Sequence, residues 1–111
     1  MPLPLDRVQG TLDMLILKTL LAGAQHGWAI SHHIRATSHE ALQVNQGALY
    51  PALHRLEDRG WVIAEWGTSE NNRKARFYRL TADGRAQLRA ETEGWLEFIR
   101  AVNLVMQISP A

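Results

Sequence analysis

The sequence predicts a mainly α fold carrying a small β-hairpin: three short helices, two strands and one long C-terminal helix. Three observations predict it. Apolar residues recur at helical spacing in separate blocks between Leu12 and Leu56. Two runs rich in β-branched and aromatic residues, 61–66 and 76–80, flank a polar stretch. Finally, Leu88, Thr92, Trp95, Ile99, Val102 and Met106 step by 4, 3, 4, 3 and 4, which is heptad spacing.

The first helix is expected over 9–24. Leu12, Leu15, Ile16 and Leu20 form its stripe, and Leu17 and Leu21 widen it. Thr11 is its candidate N-cap. A helix apolar around so much of its circumference must pack against more than one neighbour. The second helix spans about 27–38. Trp28, Ile30 and Ile34 are its apolar members, and histidines at 32, 33 and 39 make its outer face polar. A short turn-like link over 37–44 follows.

The third helix opens at Asn45, whose side chain can accept a first-turn N–H. Leu49, Leu53 and Leu56 turn inward with Ala52 beside them, and Gly60 is the expected residue after the C-cap. Pro51 falls in the second turn, where its missing N–H and its ring predict a kink or a distorted start. The strands 61–66 and 76–80 make a hairpin, and the loop over 67–75 is long enough to project. Thr81 caps a last helix over about 82–107. A helix this long must extend past so small a body, so its stripe needs another surface, most simply a second copy of the chain.

Composition narrows the class. At 111 residues the chain has room for one domain of ordinary size, and it would gain from oligomerisation. Hydrophobic residues make up 46% and charged residues 21%, which excludes disorder. The absence of cysteine excludes disulfides and thiolate zinc sites and suits a reducing compartment. Residues 1–7 lack the order of a signal peptide, and Lys18 cuts the apolar stretch that begins at Met14. A cytoplasmic protein without a membrane segment is expected. Net charge is +1, so any nucleic-acid surface must be a local patch. Arg73, Lys74, Arg76 and Arg79 supply one, without an acid among them, although a solvated loop would read the same way.

Three helices followed by a two-stranded wing make a winged helix-turn-helix, here over 1–81, with a C-terminal dimerisation helix over 82–111. In such modules the last short helix enters the major groove of double-stranded DNA, and the hairpin reaches the neighbouring backbone or minor groove. The outer face of the third helix carries Gln46, Ala48, Tyr50, Pro51, His54, Arg55, Asp58 and Arg59. Gly47 and Ala48 are small enough for close approach, and the helix N-terminus favours a phosphate. Tyr50 lies about 100° off the apolar face and can edge toward DNA or into the core. Arg55 either meets phosphate or pairs with Glu57 and Asp58. Asn72, Arg73 and Lys74 sit at the wing tip, where the arginine and lysine suit phosphate and Asn71 and Asn72 suit a turn. Arg76 and Arg79, an odd number of positions apart, point to opposite faces, so at most one faces the duplex.

Four segments carry a family resemblance: 9–17 (Gln-Gly-Thr-Leu-Asp-Met-Leu-Ile-Leu), 26–30 (His-Gly-Trp-Ala-Ile), 47–57 (Gly-Ala-Leu-Tyr-Pro-Ala-Leu-His-Arg-Leu-Glu) and 78–84 (Tyr-Arg-Leu-Thr-Ala-Asp-Gly). Together they resemble the PadR family of bacterial transcriptional regulators, in its shorter form with one C-terminal helix. The Gly-x-Leu-Tyr-Pro-x-Leu-x-Arg-Leu-Glu segment is highly specific. The family's usual tyrosine after His-Gly is Trp28 here, which keeps the packing and loses the hydroxyl. The resemblance implies a homodimer, a recognition helix over about 45–59, a basic wing, and repression of a target gene that in many members is relieved by a small ligand or another signal.

The remaining features weigh on partners. His26 reads as a structural hydrogen-bonding residue at the start of the second helix. Adjacent histidines diverge on a helix, so His32 and His33 do not chelate well together, and no metal or other cofactor is expected. Trp61 and Trp66 read as core and wing-packing aromatics. Trp95 is a packing anchor of the dimer seam or, with Ile99 and Val102, lines a cavity between subunits for a flat aromatic effector. No nucleophile, phosphate loop or paired carboxylates suggest an enzyme. The competing function is a winged-helix protein-interaction module without DNA binding.

Overall fold

The computed structural model describes Leu3–Pro4 and residues 10–108. Gln9, the expected start of the first helix, lies outside the described residues, as do residues 1–2 and 5–7 of the N-terminal segment. The elements run β1 (Leu3–Pro4), α1 (Thr11–Leu20), β2 (Gln25–His26), α2 (Gly27–Thr37), β3 (Leu42–Gln43), α3 (Gln46–Asp58), β4 (Val62–Thr68), β5 (Lys74–Leu80) and α4 (Ala82–Met106).

α1 is the centre of the body. Its residues Leu12, Ile16, Leu17 and Leu20 are buried, and it packs against α2, α3 and α4 as its broad apolar surface requires. Leu49, Leu53 and Leu56 from α3, Ile30 and Ile34 from α2, and Val62, Tyr78 and Leu80 from the strands close one core with Leu88. The expected cap at Thr11 is corrected. Thr11 is already helical, and Gly10 precedes it with φ +92°, a left-handed entry that makes no side-chain cap bond. α1 also stops at Leu20, earlier than expected, because Gly23 takes φ +147° and turns the chain toward β2.

The other helix ends follow the sequence. Asn45 Oδ1 accepts the Ala48 N–H at 2.8 Å, and His26 Nδ1 accepts the Ala29 N–H at 3.2 Å. Past α3, the Gly60 N–H reaches the Glu57 carbonyl and the Trp61 N–H reaches the Leu56 carbonyl, both at 3.0 Å, with Gly60 at φ +78°. That is a Schellman ending. Pro51 cannot donate to the Gly47 carbonyl, yet α3 is continuous from Gln46 to Asp58.

Three further findings differ from expectation. The wing is a three-stranded sheet, ordered β2-β5-β4 and antiparallel, because Gln25–His26 adds an edge strand beside Tyr78 and Phe77. Its strands are longer than the sequence pattern suggests, so the loop shrinks to 69–73. β4 and β5 stay in register from Val62↔Leu80 to Thr68↔Lys74. The expected link over 37–44 contains β3, which pairs in parallel with β1. Among the described residues, no helix is long and apolar enough to cross a membrane.

Candidate nucleic-acid interface

α3 presents one polar face. Gln46, Tyr50, Pro51 and His54 are exposed on it, and its first turn contains no acid. Ala48 is only half-buried and packs against the core, so it offers little more than its methyl edge. Tyr50 is 42% exposed, and its ring lies over Gly27. A Cβ at Gly27 would meet Tyr50 Oη at 2.7 Å. The glycine of the His-Gly element thus makes room for the tyrosine of the Leu-Tyr-Pro element, two motifs far apart in sequence.

Arg55 pairs with neither Glu57 nor Asp58. Its Nη2 donates to Asp13 Oδ1 at 2.8 Å, and Asp13 is buried in the first turn of α1. Glu57 instead binds Arg76, at 3.0 Å. Arg55 is therefore a clamp between α3 and α1, with 44% of its side chain still exposed. Removing it leaves a buried carboxylate unpaired, so Arg55→Ala is expected to cost about 1–3 kcal/mol of stability. A denaturant titration checks this, and Asp13→Ala in the same background should recover part of the loss.

The wing adds exposed cations. In its loop, the Ser69 N–H donates to the Arg73 carbonyl at 2.8 Å and the Asn72 N–H to the Ser69 carbonyl at 2.9 Å. Asn72 has φ +58°, the left-handed conformation asparagine tolerates, so it shapes the turn. Arg73 is exposed beside it. Lys74, the first residue of β5, holds its Nζ 5.1 Å from the Trp66 ring centroid. Arg76 and Arg79 do lie on opposite sheet faces, and both are committed to acids, Arg76 to Glu57 and Arg79 to Glu65. The basic patch read from sequence thus reduces to Arg73 and Lys74 at the tip.

Between the wing and the starts of α2 and α3 lies a cleft of about 760 Å³, lined in part by Gly27, Trp28, Tyr50, His54, Trp66 and Lys74. Two of these were misjudged from sequence. Trp28 is 63% exposed and Trp66 is 64% exposed, so neither is a core residue. Trp28 stacks on His32 at 4.9 Å and 8°. Trp61, by contrast, packs against the core as expected. Tyr78 borders the cleft from beneath; burial pushes its phenol above the usual value, and Arg76 partly opposes the shift.

The last helix behaves differently from the rest. Within α4 only Gly84 and Leu88 are buried. Trp95 and Val102 are exposed, Ile99 is half-buried, and Phe98, Leu104 and Val105 expose further apolar surface. Phe98 and Val105 lie beside the heptad stripe and widen it beyond a simple coiled-coil seam. The Trp95 and Phe98 rings are 6.1 Å apart.

Three helices, a three-stranded wing and a trailing helix define a winged-helix regulator. The chain belongs to the PadR-like family of transcriptional regulators, whose family model matches residues 16–90. A transcriptional regulator from Clostridium thermocellum superposes with a TM-score of 0.80 at 30% identity, over 88% of this chain and 95% of that one. A PadR family transcriptional regulator from Eggerthella lenta gives 0.78 at 26% identity, over 95% and 89%. The transcriptional regulator Rv3488 of Mycobacterium tuberculosis is 38% identical over 65 residues, 59% of this chain and 60% of that one. The family consists of regulators, not enzymes, in line with the lack of catalytic groupings in the sequence.

Proposed function

We propose that the protein is a sequence-specific DNA-binding repressor that acts as a homodimer in the cytoplasm. Residues 1–81 form the DNA-binding domain and 82–111 the dimerisation helix. α3 enters the major groove with Gln46, Tyr50 and His54 toward the bases, and Ala48 and Pro51 allow close approach. Asn72, Arg73 and Lys74 meet the adjacent backbone or minor groove. Arg55 keeps α3 seated and has donors left for a phosphate. The observation that carries this reading is the exposed Arg73 and Lys74 tip standing beside an exposed α3 face whose first turn has no acid. Repression is relieved by a small aromatic effector held where Trp95, Ile99 and Val102 meet their counterparts across the seam.

Salt dependence tests the DNA reading. Each phosphate neutralised contributes about 0.9 to the slope of log affinity against log salt. Arg73→Ala with Lys74→Ala is expected to lower that slope by about 2. An unchanged slope removes the wing from the interface, and an absence of duplex binding at low salt favours a protein-interaction module. Saturable quenching of a variant retaining only Trp95 among its tryptophans tests the seam cavity.

A further inference from the structure

We propose that the cleft between the wing and the starts of α2 and α3 is a binding site for a planar aromatic carboxylate, and that its occupant competes with DNA. The site itself stands on the cleft; only the competition rests on the DNA-binding reading. At about 760 Å³ the cleft falls within the ordinary range for small-molecule sites. It lies within one chain and is separate from the seam around Trp95.

Its walls are aromatic. Trp28 has one face covered by His32 and the tilted His26 ring 6.5 Å away, and 63% of its surface is exposed. Trp66 faces the cleft from β4, with the cations of Lys74 and Arg76 at 5.1 and 6.0 Å from its ring centroid. Neither indole belongs to the core. Both offer flat, wetted surface on which an aromatic ring can stack. The charge is also one-sided. Arg73, Lys74 and Arg76 line the cleft, Glu57 holds only Arg76, and Glu70 is the one acid among the described lining residues. The first turn of α2, at Gly27–Ala29, contains no acid and adds its positive dipole end. A ring on Trp66 or Trp28 would place a carboxylate within reach of Lys74 and Arg73. Tyr50, His54, Arg73 and Lys74 border this cleft and also carry the proposed DNA contact, so the two occupants exclude each other.

Calorimetry with naphthalene-1-carboxylate, its neutral amide and cyclohexanecarboxylate tests the site. One saturable site per chain is expected for the naphthoate. The amide, the saturated acid, and the naphthoate on Trp28→Ala or Trp66→Ala should each bind about tenfold more weakly. Trp66→Phe, which keeps a ring, should retain most of the binding. Circular dichroism confirms that each variant is folded. Binding that survives both Trp28→Ala and Trp66→Ala, or no saturation by about 1 mM, overturns the site. Duplex binding without ligand is measured separately. Naphthoate binding without duplex binding leaves the site standing and removes the competition, whereas duplex binding without naphthoate binding removes the site alone.

Discussion

Gly84→Ala is expected to destabilise the protein by about 3 kcal/mol, at the upper end for overpacking by one methyl. A Cβ there would sit 2.1 Å from the Trp61 carbonyl oxygen and 2.9 Å from Leu80 Cδ1. The carbonyl cannot withdraw cheaply. It accepts the Thr81 N–H at 3.0 Å, and the Trp61 N–H is tied to the Leu56 carbonyl at 3.0 Å. Nor can the start of α4 slide away, because the Thr81 hydroxyl donates to the Gly60 carbonyl at 2.7 Å and accepts the Gly84 N–H at 3.0 Å. The clash therefore falls on backbone at the junction of α3, β4 and α4. A thermal melt should show Tm lowered by about 10–20 °C. Gly94→Ala is the control. Its Cβ meets nothing within 4 Å, and the change should stabilise α4 by about 0.5–1 kcal/mol. Equal melting of the two variants would contradict this account of the junction.

Glutamate at both Trp95 and Val102 is expected to leave a folded monomer with little affinity for duplex DNA. α4 rises about 37 Å along its axis, and beyond Leu88 the body covers almost none of it. Trp95, Phe98, Val102 and Val105 then form a band that a second copy would bury, and two carboxylates placed in that band make burial unfavourable. The heads do not depend on it, because the core cluster ends at Leu88. Joining two heads through one seam raises affinity by roughly 10²–10⁴ without any new contact to DNA, and the monomer should lose a factor of that order. Sedimentation equilibrium reads the oligomeric state and duplex titration reads the affinity. A glutamate variant that remains dimeric and keeps full affinity would place the interface elsewhere.

The parts of the fold legible in sequence were those with local causes. Helical periodicity located α1 to α4, and Asn45, Thr81 and Gly60 marked ends because capping chemistry operates within a turn. The misjudged parts depend on distant partners. Two-residue strands such as β2 and β3 are too short to show a pattern, and each exists through pairing with a remote segment. Arg55 and Asp13 are 42 positions apart, and no spacing rule joins them. Trp28 and Trp66 were assigned to packing because large aromatics usually pack. Both are exposed, and the closeness of Lys74 and Arg76 to Trp66 in sequence was the available hint. The candidate α3 face was legible because Leu49, Leu53 and Leu56 define its opposite side.

Footprinting of the intact protein on a duplex selected from fragments of its source genome tests most directly whether paired α3 faces read DNA. Two protected patches on one side of the duplex, centred about 34–36 Å apart, are expected, each lost when Tyr50 and His54 are replaced by alanine. A single patch, or protection unchanged by those replacements, would contradict it.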